Sequence, residues 1–146
     1  MKISVACDHG GLELKEAVKK HLEALGHEVA DFGTNSKDSC DYSDFAAPAA
    51  QAVASGQCQR GIVICTTGIG VSITANKIRG IRCALLSDLM SARLTRQHND
   101  TNMMAMGQGI VGQKLALEIV DTWLTTEFEG GRHARRVGKM MDLENA

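Results

Sequence analysis

Five short apolar runs recur along the chain, at residues 3–7, 28–32, 61–65, 81–86 and 102–106, each bounded by polar residues or glycine. Runs of that length between turn residues predict strands. The segments between them follow a different period. Leu14, Val18, Leu22 and Leu25 mark one face of a helix, with Gly26 placed to end it. Leu115, Ile119 and Trp123 repeat the spacing later, and Ser87 or Asp88 can cap a helix running through Met90 and Leu94 toward His98. Pro48 interrupts the helical stretch between the second and third strands.

Strand and helix alternate, which predicts parallel βαβ units with right-handed crossovers. The expected fold is a three-layer α/β/α sandwich, a Rossmann-like five-stranded parallel sheet in the order 2-1-3-4-5. Residues 1–146 are expected to form one domain, ending in a helical tail from about residue 132. Sheets of this kind bind ligands beyond the carboxyl ends of their strands, where neighbouring connections leave for opposite faces. Asp8 and His9 after the first strand, residues 65–70 after the third, and Ser87 and Asp88 after the fourth are expected along that rim.

Composition narrows the ligand. A formal net charge of -1 offers no bulk attraction to nucleic acid or to an anionic membrane, so an anionic ligand must be small and held by a local cluster. The five cysteines are odd in number and lack CxxC or zinc-ribbon spacing, which argues against a disulfide framework. No basic leader with an apolar stretch opens the chain, and no run is long enough to cross a bilayer; a cytoplasmic location is expected. With 3% aromatic residues there is little to stack on a flavin.

The segment Cys65-Thr66-Thr67-Gly68-Ile69-Gly70-Val71-Ser72 joins a buried strand to a helix, and its glycines let backbone amides turn toward an anion. A tight connection with no ligand would use the same glycines. The segment lacks the lysine of a P-loop and does not match GxGxxG, which excludes the usual nucleotide sites. Cys65 stands at the strand's exposed end beside a helix start, where amides and the helix dipole favour an anion, so its thiol is a candidate base. Cys7, Cys40, Cys58 and Cys83 have no such setting. Residues 96–102 concentrate polar groups, His98 and Asn99 among them, as either a site or a solvated surface. His9, Cys65 and His98 have no metal-ligand spacing, so no metal is expected. Gly130 and Gly131 lead into Arg132, His133, Arg135 and Arg136. On a helix Arg132 and Arg136 share a face and can clamp one phosphate, or they form an ordinary basic surface.

Taken together, Cys7-Asp8-His9-Gly10, Asp41-Tyr42, residues 65–76, residues 96–102 and Gly130-Gly131-Arg132-His133 resemble the ribose-5-phosphate isomerase type B family, over nearly the whole chain. The resemblance implies aldose-ketose isomerisation of a sugar phosphate, through a cis-enediolate and without a cofactor. It implies Cys65 as the base, His98 as the acid that opens the sugar ring, and Thr67 as the group that helps a proton pass between the substrate oxygens. Asp8 and Tyr42 would meet sugar hydroxyls, and His9, Arg132 and Arg136 the phosphate. Thr66, Gly68, Ile69, Gly70, Val71 and Ser72 would line the substrate, with the Gly68–Ser72 amides receiving the oxyanion and Asn99 binding substrate. The family's site is shared across a homodimer, with the His98 region coming from the other subunit, and a dimer of dimers is a further assembly. Three departures stand out: Thr66 in place of a usual glycine, Gly109 in place of an arginine and Ser43 in place of a proline. They bear on which sugar is bound, ribose 5-phosphate or a six-carbon aldose phosphate such as allose 6-phosphate. Two other readings are a noncatalytic phosphate-ligand module on the same sheet, since fold alone does not select a function, and a redox switch at Cys65.

Overall fold

The apolar runs become one parallel sheet in the computed structural model, which describes residues 1–146. Its strands are β1 (Lys2–Cys7), β2 (Glu28–Asp31), β3 (Arg60–Cys65), β4 (Cys83–Leu85) and β5 (Met103–Gly107). The helices are α1 (Leu12–Ala24), α2 (Ser43–Ala54), α3 (Ile69–Asn76), α4 (Leu89–Asn99), α5 (Gln113–Thr125) and α6 (Arg132–Asp142), followed by a 3₁₀ turn at Leu143–Asn145. Asp88 caps α4, its carboxylate accepting from the Ser91 amide at 2.7 Å. The left-handed turn after α1 falls on Gly26, with φ of 89°. Pro48 lies inside α2 without ending it. The bond it cannot donate would have gone to the Asp44 carbonyl, in a residue that water reaches.

The strand order is 2-1-3-5-4, not 2-1-3-4-5. Burial and crossover direction explain the exchange. β5 is buried along its whole length and fits between two neighbours, whereas β4 has three residues, one of them exposed, and suits an edge. The chain therefore passes beyond the β5 position to lay down β4 and then turns back. A right-handed crossover in the reversed direction puts its helix on the opposite face. Ala92 of α4 accordingly packs with Leu14 and Val18 of α1 and Ile119 and Trp123 of α5, while α2 and α3 cover the other face through Ala46, Ala49, Ala50, Val71 and Ala75. Between β1 and β3 the connections also leave to opposite faces, so a crevice opens at the carboxyl ends of those strands. The register pairs Cys7 with Ile64 and Cys65 with Gly107, which aligns the three strand ends that border it.

One charge lies wholly inside. The Lys15 ammonium contacts both Asp31 oxygens, at 2.9 and 3.0 Å, the Thr34 carbonyl at 2.7 Å and Asn35 Oδ1 at 3.0 Å. This ties α1 to β2 and to the loop that leads toward Tyr42. Burial would raise the Asp31 pKa, but the Gly33 amide and Lys15 outweigh it and hold the carboxyl below its ordinary value of 3.8. Its stabilisation is thus present at neutral pH and is lost as acid carries the pH down through that lowered value. Asp31→Ala strands the buried ammonium and is expected to cost about 3–5 kcal/mol, read as a lower urea midpoint.

Candidate active site

At the carboxyl end of β3 Cys65 is only 6% exposed, yet it lines a cavity of about 440 Å³. Asp8, Tyr42, Thr66, Thr67, Ile69, Gly70 and Ile73 form the rest of the wall. The Gly68 amide donates to the Cys65 sulfur at 3.1 Å, so a negatively charged sulfur would find a fixed donor. Gly68 sits at φ of 79°, the left-handed turn from which α3 starts.

The amides of this turn divide their work. Gly68 N–H is given to Cys65, Ile69 N–H to Thr67 Oγ1 at 3.2 Å, and Ser72 N–H to the Gly68 carbonyl at 3.1 Å. That last bond is the first of the helix ladder, which leaves Gly70 and Val71 N–H beyond it, as at any helix start. Of the five amides from Gly68 to Ser72, these two are the ones free to meet a developing negative charge.

Asp8 follows β1 and is nearly buried. One of its oxygens accepts the Gly10 amide at 2.9 Å, which fixes the carboxylate at the cavity wall. His9 beside it is exposed, and its Nδ1 accepts the Cys40 amide at 3.2 Å. That bond places the ring proton on Nε2, the nitrogen left to donate outward. Cys40, expected only as a loop residue, thus orients His9; a histidine's dependence on a distant backbone amide leaves no mark in a residue pattern. Tyr42 packs across Gly70 so closely that a Cβ there would lie 2.6 Å from its ring, which explains the glycine. Ile73 was not anticipated either, although its place one turn after Ile69 on an exposed helix face was a readable sign.

Two of the three departures meet in space. A Cβ at Gly109 would approach the Thr66 carbonyl oxygen at 3.1 Å and its methyl at 3.2 Å, and the Gly109 amide donates to that carbonyl at 2.9 Å. A side chain at 109 would therefore press on Thr66, a residue of the cavity wall. Ser43 is simply the first residue of α2.

The remaining site residues lie elsewhere. α4 starts beyond the carboxyl end of β4 and returns to the amino end of β5. Eleven residues carry it about 16 Å, so His98 and Asn99 reach the sheet edge opposite Cys65. There the ring of His98 stacks on His133 with centroids 4.3 Å apart, and Arg132 and Arg136 are exposed on α6 beside them. Burial, His98 and the two arginines lower the His133 pKa, with Glu129 opposing. Burial pushes the Cys7 and Cys83 thiols up to about 12, which removes them as bases. The structure therefore gathers Asp8, His9, Tyr42 and residues 65–72 at one edge, and His98, Asn99, Arg132 and Arg136 at the other.

The Ribose/Galactose Isomerase family matches residues 3–140. The chain is 49% identical to ribose-5-phosphate isomerase B of Escherichia coli (strain K12), over 98% of this chain and 96% of that one. It is 38% identical to D-erythrulose-4-phosphate isomerase of Pectobacterium atrosepticum, over 96% and 93% of the two chains. Among solved structures, ribose-5-phosphate isomerase B of Clostridium thermocellum superposes with a TM-score of 0.98 at 54% identity, covering 99% of this chain and 98% of that one.

Proposed function

Because the chain belongs to the Ribose/Galactose Isomerase family, we propose that it interconverts a sugar phosphate's aldose and ketose forms, with ribose 5-phosphate and ribulose 5-phosphate as its pair. The observation that carries this reading is Cys65, a residue of the cavity wall whose sulfur accepts the Gly68 amide at 3.1 Å, beside Asp8 and two unused helix-start amides. A base next to preorganised N–H donors suits abstraction of a proton alpha to a carbonyl.

In the direction from aldose to ketose, Cys65 as thiolate takes the proton from C2. The electron pair moves into the C1–C2 bond and the charge develops on O1, within reach of the Gly70 and Val71 amides. Thr67 relays a proton from O2 to O1, and Cys65 returns its proton to C1, so the cis-enediolate collapses to the ketose with no net change in atoms. Asp8 and Tyr42 hold the sugar hydroxyls, and His9 donates Nε2–H to the phosphate. His98 supplies the proton for ring opening, Asn99 binds substrate, and Arg132 and Arg136 close on the phosphate.

His98 and the two arginines act on the Cys65 of another copy. A helix between parallel strands ends at the wrong edge to serve its own chain's cavity, while Ile69 and Ile73 in that cavity, and Leu85 and Ile110 in the pocket that shares Thr67 and Ile69 with it, leave an exposed apolar rim. A symmetric homodimer covers that rim and completes two sites. No helix is long and apolar enough to cross a membrane, and all five cysteines are free, which fits a reducing, cytoplasmic setting for this single domain.

The test is an isomerisation assay over four-, five- and six-carbon sugar phosphates in deuterated water. Ribose 5-phosphate is expected to give the highest kcat/KM, with solvent deuterium entering C1 of the ketose. A higher value for allose 6-phosphate would assign a six-carbon substrate instead, the reading that the crowding of Thr66 against Gly109 keeps in play. No turnover on any sugar would leave a noncatalytic phosphate-binding module.

A further inference from the structure

We propose that His98, Glu129 and His133 bind a divalent transition metal of the zinc type, and that an ion held there removes His98 from ring opening. The second half rests on the proposed function; the first does not. The donor atoms of the three side chains all lie within 4.8 Å of one another. His133 Nε2 is 3.6 Å from the Glu129 carboxylate, and the His98 ring lies against that of His133, with 15° between their planes. Two imidazoles and a carboxylate with an open fourth position form a donor set that zinc favours.

The backbone already holds the three together. The Glu129 amide donates to the Gln97 carbonyl at 3.1 Å, which pins the loop to α4 one residue before His98. The His133 amide donates to the Gly130 carbonyl at 3.0 Å and fixes the start of α6 on the same loop. Ligands about 2.1 Å from a tetrahedral ion stand about 3.4 Å apart, so the donors must draw in by up to roughly 1.4 Å. Stacked rings aim their lone pairs side by side, so one must also turn about its Cβ–Cγ bond. Glu129, half exposed, is free to swing inward. Arg132 and Arg136 oppose a dication from α6, but both are exposed and screened by water and salt.

This chain supplies only nitrogen and oxygen ligands. In the dimer proposed above a second copy's Cys65 faces His98, so the Cys65→Ala variant is what separates the site from capture by that thiol. A metal-bound imidazole has no lone pair with which to carry a proton to a ring oxygen, so occupation should inhibit.

The experiment titrates chelator-treated enzyme with zinc for activity and with cobalt(II) for its absorption spectrum, in the wild type, Glu129→Gln, His133→Asn and Cys65→Ala. The expected result is reversible zinc inhibition of the wild type, restored by chelator. Glu129→Gln should keep its basal activity and need at least about tenfold more zinc for the same inhibition. Cobalt should give bands of nitrogen and oxygen ligation that persist in Cys65→Ala and weaken in Glu129→Gln and His133→Asn. A thiolate-to-cobalt band that vanishes in Cys65→Ala, or equal zinc inhibition of wild type and Glu129→Gln, would overturn the site. Cobalt bound by the expected ligands without zinc inhibition would support the site and overturn the role given to His98.

Discussion

Cys65→Ala is expected to abolish isomerisation, lowering kcat by about 10² to 10⁴-fold or more, while the urea midpoint changes little. In the proposed mechanism the sulfur takes the carbon-bound proton, and its charge is met by a fixed amide at 3.1 Å. Asp8 cannot replace it easily, because one of its oxygens is held by the Gly10 amide. Cys7 and Cys83 cannot either, since burial keeps them as thiols up to about pH 12. Cys65→Ser is the sharper control. It keeps a small acceptor for Gly68 but offers a hydroxyl too weakly acidic to work as a base, so it should be as inactive as alanine and should still bind a sugar phosphate. Near-normal turnover in either variant would remove Cys65 from the mechanism.

The sheet and most of its helices were legible because their signals are local. Apolar runs of five or six residues between glycines and polar residues became strands with ends displaced by no more than two residues, and Asp88 caps α4 as its type and position suggest. Strand order was not local. It depends on whether the chain turns back after β4, and the only trace of that choice was the contrast between β5, apolar throughout, and the three residues left of the run at 81–86. Pro48 points the same way, because helix propensity at one residue was overruled by the alanines that α2 buries against the sheet.

The candidate site was legible where chemistry hangs directly on a strand end. Asp8 and Cys65 needed only the rule that ligands gather beyond carboxyl ends. What composition and spacing did not carry were the groups acting through backbone: the Cys40 amide behind His9, and glycines at 70 and 109 that make room for Tyr42 and Thr66. The division of the site into two halves stands between these cases. A helix linking parallel strands must run from their carboxyl edge back to their amino edge, so residues at the end of α4 cannot share a rim with residues at the end of β3. That consequence was available before any coordinates, once the alternation of strand and helix had been accepted.

It also yields the result that best separates a shared site from a solitary one. Cys65→Ala and His98→Asn are each expected to be inactive alone, yet an equimolar mixture, dissociated and allowed to reassociate, should recover activity. In a mixed dimer one site receives both substitutions, while the other combines the intact Cys65 of one copy with the intact His98 of its partner. Random pairing makes about half the dimers mixed, each with one working site of two, so roughly a quarter of wild-type activity should return. If His98 served its own chain's Cys65, every site in the mixture would carry a lesion and nothing would be regained. A mixture that stays dead, although the two variants demonstrably exchange subunits, would therefore place the ring-opening acid within one chain, against the direction in which α4 runs.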